Sequence, residues 1–595
     1  MNTAEYIVKR LEELGVNDFF GVSGDYSFNL LYAVKSNPGT KWIGCTNELN
    51  AAYAADGYAR VRGYGAIITN YGGELSTMNA IAGSMAENVP VVNIVGLPST
   101  DYIEKDTQYN LRDVDYKAYM NSFSAIGTAS AFLNKDNAKQ EIDRVLKIMV
   151  KDKKPAYIAV PADIAKLPID DTYTDYNWAG NKDTLNTAAL RIAEKISKSK
   201  RPIIIGDALI KRFDAEIEYR EFVKHSEIPV SNFLGGLNIV DMDYEKYIGG
   251  YFGNYRNPIA QKYIESSDCV IAIGTIYNEL NAFGFDLAQK VNNGIAIYGT
   301  KAYVSGKLFD NIKMSELLEA VTAIINPKNV ETDRPMTGLR PQATDGMPLT
   351  TDYIYYRIQN FIKENDIVIT ETGSAMHGVA QMKFPPSVDI QFRTIWGSIG
   401  WATPATLGAC IAKPKSRVVL ITGDGAHQQT CMEIGTILRN NVKPIIIVIN
   451  NKGYAAERLF CRDSKDKIND VAGMNYSKFA RVFDGDVWST KVDTPDDFDK
   501  ALKVTQIMNK MCYIEVCTDY LDTPQLTQDI VYSVKDHSEY EAEPEEPRIS
   551  DTEEDNKEFN VEEMAAKSSA NNFAYETIVH KVLIDNNNSE GSNNG

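Results

Sequence analysis

Residues 423–459 read GDGAHQQTCMEIGTILRNNVKPIIIVINNKGYAAERL, and the five residues before them, VVLIT, are almost wholly apolar. The pattern is a buried strand over 418–422 ending in Gly-Asp-Gly, a helix, and a second buried strand over 445–449 ending in Asn450-Asn451. Such unbroken apolar runs suit parallel strands covered on both faces. Both polar motifs then stand at the carboxyl ends of neighbouring strands, where open α/β sheets bind ligands. Asp424 and Asn451 can offer oxygen to a hard divalent ion, with the Gly453 carbonyl as a third ligand; Mg²⁺ held that way leaves positions for phosphate oxygens. A helix opening near Ala426 or His427, just after Gly425, would turn free amides toward a diphosphate. A lone Gly-Asp-Gly is a common turn. The specific signal is the 24-residue spacing to the asparagine pair, with a helix and a strand between.

The same alternation runs through the chain. Strands are expected at 18–22, 66–69, 91–96 and 156–160, which defines a first unit over residues 1–185. Strands at 202–206, 269–274 and 294–298 define a second over 186–330, and 331–349, rich in Pro, Gly and Thr, reads as a linker. A third unit over 350–535 holds strands at 367–370, 418–422, 445–449 and 512–516. The fold class is therefore α/β, with three consecutive Rossmann-like, doubly wound parallel-sheet domains and an acidic C-terminal extension over 536–595. Between 539 and 563 twelve Asp/Glu stand against two Lys/Arg, so this segment holds −10 of the formal charge of −18. It reads as a partly disordered tail, either a solubilising end or a docking segment for a protein partner.

With that segment set aside the body is mildly acidic and carries no basic stripe, which disfavours direct nucleic-acid binding. No run of eighteen apolar residues occurs, and the opening MNTAEYIVKRLEELG makes an amphipathic helix, so a cytoplasmic protein without a membrane segment is expected. The seven cysteines contain no CxxC and read as reduced core thiols.

Several separated motifs share one resemblance. FGVSGDYSFNLL (20–31), NELNAAYAADGYAR (47–60), PVVNIVGLPS (90–99), TETGSAMHG (370–378), WGSIGWATPATLGA (396–409) and the 423–459 stretch make roughly residues 1–530 similar to the thiamin-diphosphate-dependent 2-oxo acid decarboxylase family. The resemblance implies a first domain that binds the aminopyrimidine, a third that binds the diphosphate, and each cofactor between two subunits. A homodimer or dimer of dimers, thiamin diphosphate, Mg²⁺ and a 2-oxo acid substrate follow from it. Glu48 matches the carboxylate that bonds the pyrimidine and starts cofactor activation, for which it needs shelter from water and a raised pKa. Ala51, Ala52, Ala54 and Ala55 after it keep side chains small, so that the backbone can approach a ring. Gly397 matches the carbonyl that accepts from the pyrimidine amino group, and Ile399 the bulky residue that bends the cofactor. Thr372 and Ser374 match residues beside the cofactor, and Asp25 and Glu457 the acids that face the reacting carbon. Asp424, Gly425, Ala426, Asn451 and Gly453 match the diphosphate and metal cradle.

Read from the residues alone, Glu48 is equally a helix-terminal charge match, Ile399 a core residue, Thr372 part of a strand-end turn, and Asp25 and Glu457 solvated groups.

Two features depart from the family's pattern. The first-domain loop usually carries His-His followed by Thr-Leu, whereas here it reads Gln108-Tyr109-Asn110-Leu111; the five histidines, His225, His377, His427, His537 and His580, all lie outside the first domain. The loop TNYGGELS (69–76) is one residue shorter than the usual TTFGVGELS. Losses at that end bear on late proton transfers. The implied activity is decarboxylation of a 2-oxo acid to an aldehyde and CO₂ through a thiamin diphosphate ylid and enamine, the alternatives being a carboligase or a non-catalytic cofactor-binding regulator. Ala455 and Ala456 replace larger family residues beside Glu457, which favours branched-chain or aromatic 2-oxo acids unless Met376, Trp401 or Phe460 refills the space.

Overall fold

The computed structural model describes residues 1–537 apart from 104, 106, 171, 174, 254–256, 285, 286, 336, 341–345 and 347. The acidic run at 539–563 and the residues after it lie outside the described residues, as does part of the 331–349 linker.

Among the described residues, eighteen strands make three six-stranded sheets. The first comprises β1 (Asp18–Gly21), β2 (Lys41–Gly44), β3 (Gly65–Asn70), β4 (Val91–Leu97), β5 (Ala129–Phe132) and β6 (Ala156–Pro161), ordered β2-β1-β3-β4-β6-β5. The second comprises β7 (Pro202–Gly206), β8 (Val230–Asn232), β9 (Cys269–Ile273), β10 (Ile295–Tyr298), β11 (Lys301–Val304) and β12 (Lys307–Asp310), ordered β12-β11-β10-β9-β7-β8. The third comprises β13 (Ile367–Thr370), β14 (Asp389–Gln391), β15 (Val418–Gly423), β16 (Ile445–Asn450), β17 (Val487–Val492) and β18 (Met511–Cys517), ordered β14-β13-β15-β16-β18-β17.

Counted from its own first strand, the third sheet repeats the order of the first, and both are parallel throughout. In each, the chain steps out to one edge and then returns past its starting strand, which opens a crevice at the carboxyl ends of β1 and β3, and of β13 and β15.

The middle sheet corrects the expectation of a purely parallel layer. β11 and β12 run antiparallel, each pairing with the strand before it. Only Gly299 and Thr300 join β10 to β11, and only Ser305 and Gly306, at φ +50° and +77°, join β11 to β12. Two-residue turns with left-handed backbone close hairpins, whereas a parallel crossover needs a dozen or more residues.

The first and third units meet through two helices whose backbones touch. Helix Glu48–Arg62 lies on helix Ala402–Ala412 with Ala51, Ala52, Ala54, Ala55, Ala405 and Ala409 buried. A Cβ on Gly57 would stand 2.3 Å from the Ala405 carbonyl oxygen, and one on Gly408 only 1.9 Å from that of Ala54. The alanine run of the first helix therefore serves approach to another helix, which corrects its reading as space for a cofactor ring. A buried polar network borders the contact. Asp56 Oδ1 accepts from Arg60 Nε at 2.6 Å and Trp401 Nε1 at 2.8 Å, and Oδ2 from Ser84 at 2.7 Å. Arg60 also donates to Glu87 Oε2 and the Phe392 carbonyl, and Glu87 Oε1 accepts from the amides of Ile395 and Trp396. Burial alone would raise the Asp56 pKa, but the Arg60 and Arg393 guanidiniums and the hydrogen bonds from Arg60 and Ser84 hold it below the usual range.

Among the described residues no helix is long and apolar enough to cross a membrane.

Gly408→Ala should therefore destabilise the protein by about 3 kcal/mol, the upper range for overpacking, because backbone on the facing helix cannot step aside. Gly473→Ala, where a Cβ meets nothing within 4 Å, is the control and should be near neutral. Denaturant unfolding of both variants checks the contrast.

Candidate active site

The carboxyl ends of β13, β15 and β16 lie side by side and carry most of the residues expected at a cofactor. After β15 the chain enters a short helix, Asp424–Gln428, capped by Gly423. The helix opens at Asp424, two residues before the expected start, because the Asp424 side chain accepts from the Gly425 amide at 2.8 Å and so fixes the first turn. A second short helix, Glu433–Arg439, follows, so two helices fill the place where one was expected. His427 is buried, with Nδ1 2.8 Å from the Thr403 hydroxyl and Nε2 2.8 Å from that of Tyr513; burial pushes its pKa down to about 3. It anchors the short helix as a neutral imidazole.

After β16, Lys452 takes a left-handed φ of +64° and Gly453 follows at +148°. That turn aims the Gly453 amide at Asp424 Oδ2, 3.1 Å away. The Asn451 side-chain oxygen, as placed, stands 2.7 Å from the Gly453 carbonyl oxygen and 3.3 Å from Asp424 Oδ1. With the amide turned over, its NH₂ donates to both. With the oxygen inward, its two spacings, to the Gly453 carbonyl oxygen and to Asp424 Oδ1, are close to the ~3 Å between neighbouring ligands of an octahedral Mg²⁺ with bonds of about 2.1 Å. The donor set therefore fits a hard cation. Arg458, which the sequence reading passed over, holds this loop: it is buried and donates to the carbonyls of Asn451, Lys452 and Tyr520 and to Asp470. Its signal is its place one residue after Glu457. Glu457 itself is exposed; Ala455 is buried and Ala456 half-buried.

After β13, Gly373 at φ +105° admits helix Ser374–Ala380, which Ser374 opens. Gly397, at φ +69°, lies beside Thr372, whose hydroxyl donates to the Arg393 carbonyl. Ile399 is half-buried between Ser398, 3.1 Å from the Tyr53 hydroxyl, and Gly400, whose carbonyl accepts from Thr430. Beneath them Glu371 is fully buried; burial raises its pKa to about 7 against the opposing pull of the Ala402, Thr372 and Gly400 amides. Of the three residues expected to refill the space at Ala455, Met376 is buried, Phe460 is exposed, and Trp401 is tied to Asp56 in the helix contact.

The first unit contributes a separate group. Glu48 is half-buried at the start of its helix, with Asn47 as cap. It bears on Gly73, where a Cβ would stand 2.6 Å from Glu48 Oε1. The next residue, Glu74, is fully buried with Oε2 unpartnered, and burial raises its pKa to about 7. Asp25 is exposed and accepts from Asn70 Nδ2 at 3.0 Å. Glu74 was legible only as part of the loop 69–76. Within the described chain no hydrogen bond or ion pair joins Glu48 or Asp25 to Asp424, Asn451 or Glu457.

Three α/β layers, with Asp424, Asn451 and Gly453 gathered at the carboxyl ends of β15 and β16, suit an enzyme that binds a diphosphate cofactor, and comparison gives the family. The models for the N-terminal TPP binding, central and C-terminal TPP binding domains of thiamine pyrophosphate enzymes match residues 1–118, 190–302 and 371–516. The chain is 33% identical to a putative pyruvate decarboxylase of Schizosaccharomyces pombe, over 88% of its length and 96% of that protein. It is 31% identical to an alpha-keto-acid decarboxylase of Mycolicibacterium paratuberculosis, over 89% and 95% of the two chains. It is 32% identical to pyruvate decarboxylase isozyme 2 of Saccharomyces cerevisiae, over 88% and 96%. The chain belongs to the thiamin-diphosphate-dependent 2-oxo acid decarboxylase family.

A buried carboxyl with its pKa raised to about 7 keeps its proton where the unfolded chain, titrating near 4.5, has lost it. Its stabilising effect is complete below pH 4.5 and is lost as pH rises to 7. The melting temperature should fall across that window, and Glu74→Gln should flatten the slope. An unchanged slope in the variant would refute the assignment.

Proposed function

We propose that this protein catalyses non-oxidative decarboxylation of a 2-oxo acid to an aldehyde and CO₂, with thiamin diphosphate and Mg²⁺ as cofactors. The observation that carries the reading is the convergence of Asp424, Asn451 and the Gly453 carbonyl at the carboxyl ends of the neighbouring strands β15 and β16 of the third sheet. The relatives, named pyruvate or alpha-keto-acid decarboxylases, support it, and they do not favour the carboligase or regulatory readings.

Bound thiamin diphosphate supplies the carbon nucleophile and the electron sink for CO₂ loss. Asp424, Asn451 and Gly453 hold the metal, and the first turn at Gly425 and Ala426 faces the diphosphate. Gly397 would offer its carbonyl to the pyrimidine amino group, Ile399 would support the bent cofactor, and Thr372 and Ser374 would line the same crevice. Glu48 would hydrogen-bond the ring nitrogen of the pyrimidine and so promote its amino-imino shift, while Asp25 and Glu457 would flank the substrate. The first unit, 1–185, is the pyrimidine-binding domain, 186–330 the central domain, and 350–535 the diphosphate-binding domain.

Among the described residues no hydrogen bond or ion pair joins Glu48 or Asp25 to the Asp424 group, which is in keeping with a site completed by a second copy, hence a homodimer or dimer of dimers. The acidic extension, with −10 of the charge, is a candidate protein-docking segment, and the cytoplasm is the compartment that suits reduced cysteines. The small Ala455 and Ala456 support a branched-chain or aromatic substrate.

Asp424→Ala should abolish Mg²⁺-dependent cofactor binding measured by calorimetry, whereas Glu48→Gln should retain binding and lose about 10²-fold or more in turnover. Undiminished affinity in the Asp424 variant would sink the metal assignment. In an assay of CO₂ release with both cofactors present, phenylpyruvate or a branched 2-oxo acid should exceed pyruvate in kcat/KM by about 10-fold or more. A preference for pyruvate would overturn the size argument, and release from none of the acids would overturn the function.

A further inference from the structure

The two departures from the family's sequence pattern, the shortened loop and the replaced histidine pair, meet in one place. Tyr109 has φ +68°, a left-handed backbone that a bulky residue rarely adopts and that costs roughly 1 kcal/mol or more. The strain is held in place from below. The Tyr119 hydroxyl donates to the Tyr109 carbonyl at 2.8 Å, and the largely buried Tyr119 ring packs on Tyr71 with centroids 4.9 Å apart.

So held, the Tyr109 ring lies on Gly72. A Cβ added there would stand 2.7 Å from Tyr109 Cγ and 2.8 Å from Cδ1, at a backbone φ of +88°. Only glycine admits the ring. The next residue, Gly73, bears on Glu48, so the tyrosine and the glutamate rest on consecutive glycines of one short loop. Asn70 at the start of that loop bonds Asp25, and its Oδ1 accepts from the Tyr26 amide at 3.0 Å. Burial, then Asp25, then Tyr109 raise the Tyr26 pKa, which puts the Tyr109 phenol in the same neighbourhood.

Tyr109 is 52% exposed, and its hydroxyl makes no hydrogen bond within the described residues. Its carbonyl and ring are fixed while its donor is left free. Asp25, bonded to Asn70, and Glu48, against Gly73, set two carboxylates along the same short loop, and a 2-oxo acid arrives as an anion. Such a substrate needs a donor on that wall to offset the repulsion.

We propose that Tyr109 is a substrate-binding residue of this site, its phenol O–H donating to the carboxylate of the 2-oxo acid, and that the shortened Gly72-Gly73 loop exists to seat its ring. The inference rests on the decarboxylase reading and names the group that reads its substrate's charge.

Tyr109→Phe keeps the ring on Gly72 and removes only the donor. In the holoprotein it should weaken pyruvate and phenylpyruvate by about 10- to 100-fold, the range for a hydrogen bond to a charged group, read as KM and as calorimetric affinity. Melting temperature and thiamin diphosphate affinity should not move, and inhibition by phenylacetaldehyde, which has no carboxylate, should be unaltered. Unchanged affinity for both acids overturns the proposal, and so does equal weakening of the aldehyde or a loss of cofactor binding, which would make the role structural. If the unmodified holoprotein neither binds nor decarboxylates either acid, the decarboxylase reading falls and this assignment with it. If the unmodified protein is active and the phenylalanine variant matches it, this assignment alone falls.

Discussion

The backbone contact between helix Glu48–Arg62 and helix Ala402–Ala412 is the constraint on which the remaining geometry depends. Helices approach this closely only where alanine and glycine line both faces, and any added side chain meets main chain. Such a contact has little apolar area per residue, so its register must come from elsewhere. The Asp56, Arg60 and Glu87 network supplies it. A buried ion pair contributes specificity only when its remaining hydrogen-bonding capacity is met. Here Ser84, Trp401, the Phe392 carbonyl and the Ile395 and Trp396 amides meet it. One end of the first helix then presents Glu48, and the segment leading into the second presents Gly397 and Ile399.

The first and third sheets share one strand order, yet their crevices do different work. In the third, Asp424 and Asn451 place acceptors beside the turn at Lys452 and Gly453, which suits a cation and its phosphates. In the first, the equivalent strand end after β3 carries the two glycines that touch Glu48 and Tyr109. Beneath each crevice sits a buried acid, Glu371 or Glu74, with its pKa pushed up to about 7 by burial. Groups held this far from their ordinary range gather where catalytic constellations are built. Glu371 also accepts from the Thr372 and Ala402 amides, which favour its charged form against burial.

The central strands were legible because each is buried on both faces and must be apolar along its whole length: 202–206 and 367–370 were read to the residue. The edge strands β2, β5, β8, β12, β14 and β17 were not, because each is short or half-exposed and lacks that run. The antiparallel pair β11 and β12 was missed for the same reason, although Ser305-Gly306 was a turn signal in plain view. The placement of Asp424 and Asn451 at the ends of β15 and β16 was legible because a fixed spacing ties them to two apolar strands. Arg458, Glu74 and Glu371 were not, because nothing local distinguishes a buried charge from a solvated one.

Local order along the chain was thus enough to establish three α/β layers and the family to which they belong, since each depends on periodicity and spacing within a few dozen residues. Contacts between distant segments decided the rest. The alanines after Glu48 pack against a helix some 350 residues away in sequence, and the replacement of two histidines by Gln108 and Tyr109 acquires meaning only against Gly72. Side-chain size and charge are written in the sequence, but what they meet is set by how the units close on one another, and that closure is fixed by burial and hydrogen bonding between residues that no spacing relates.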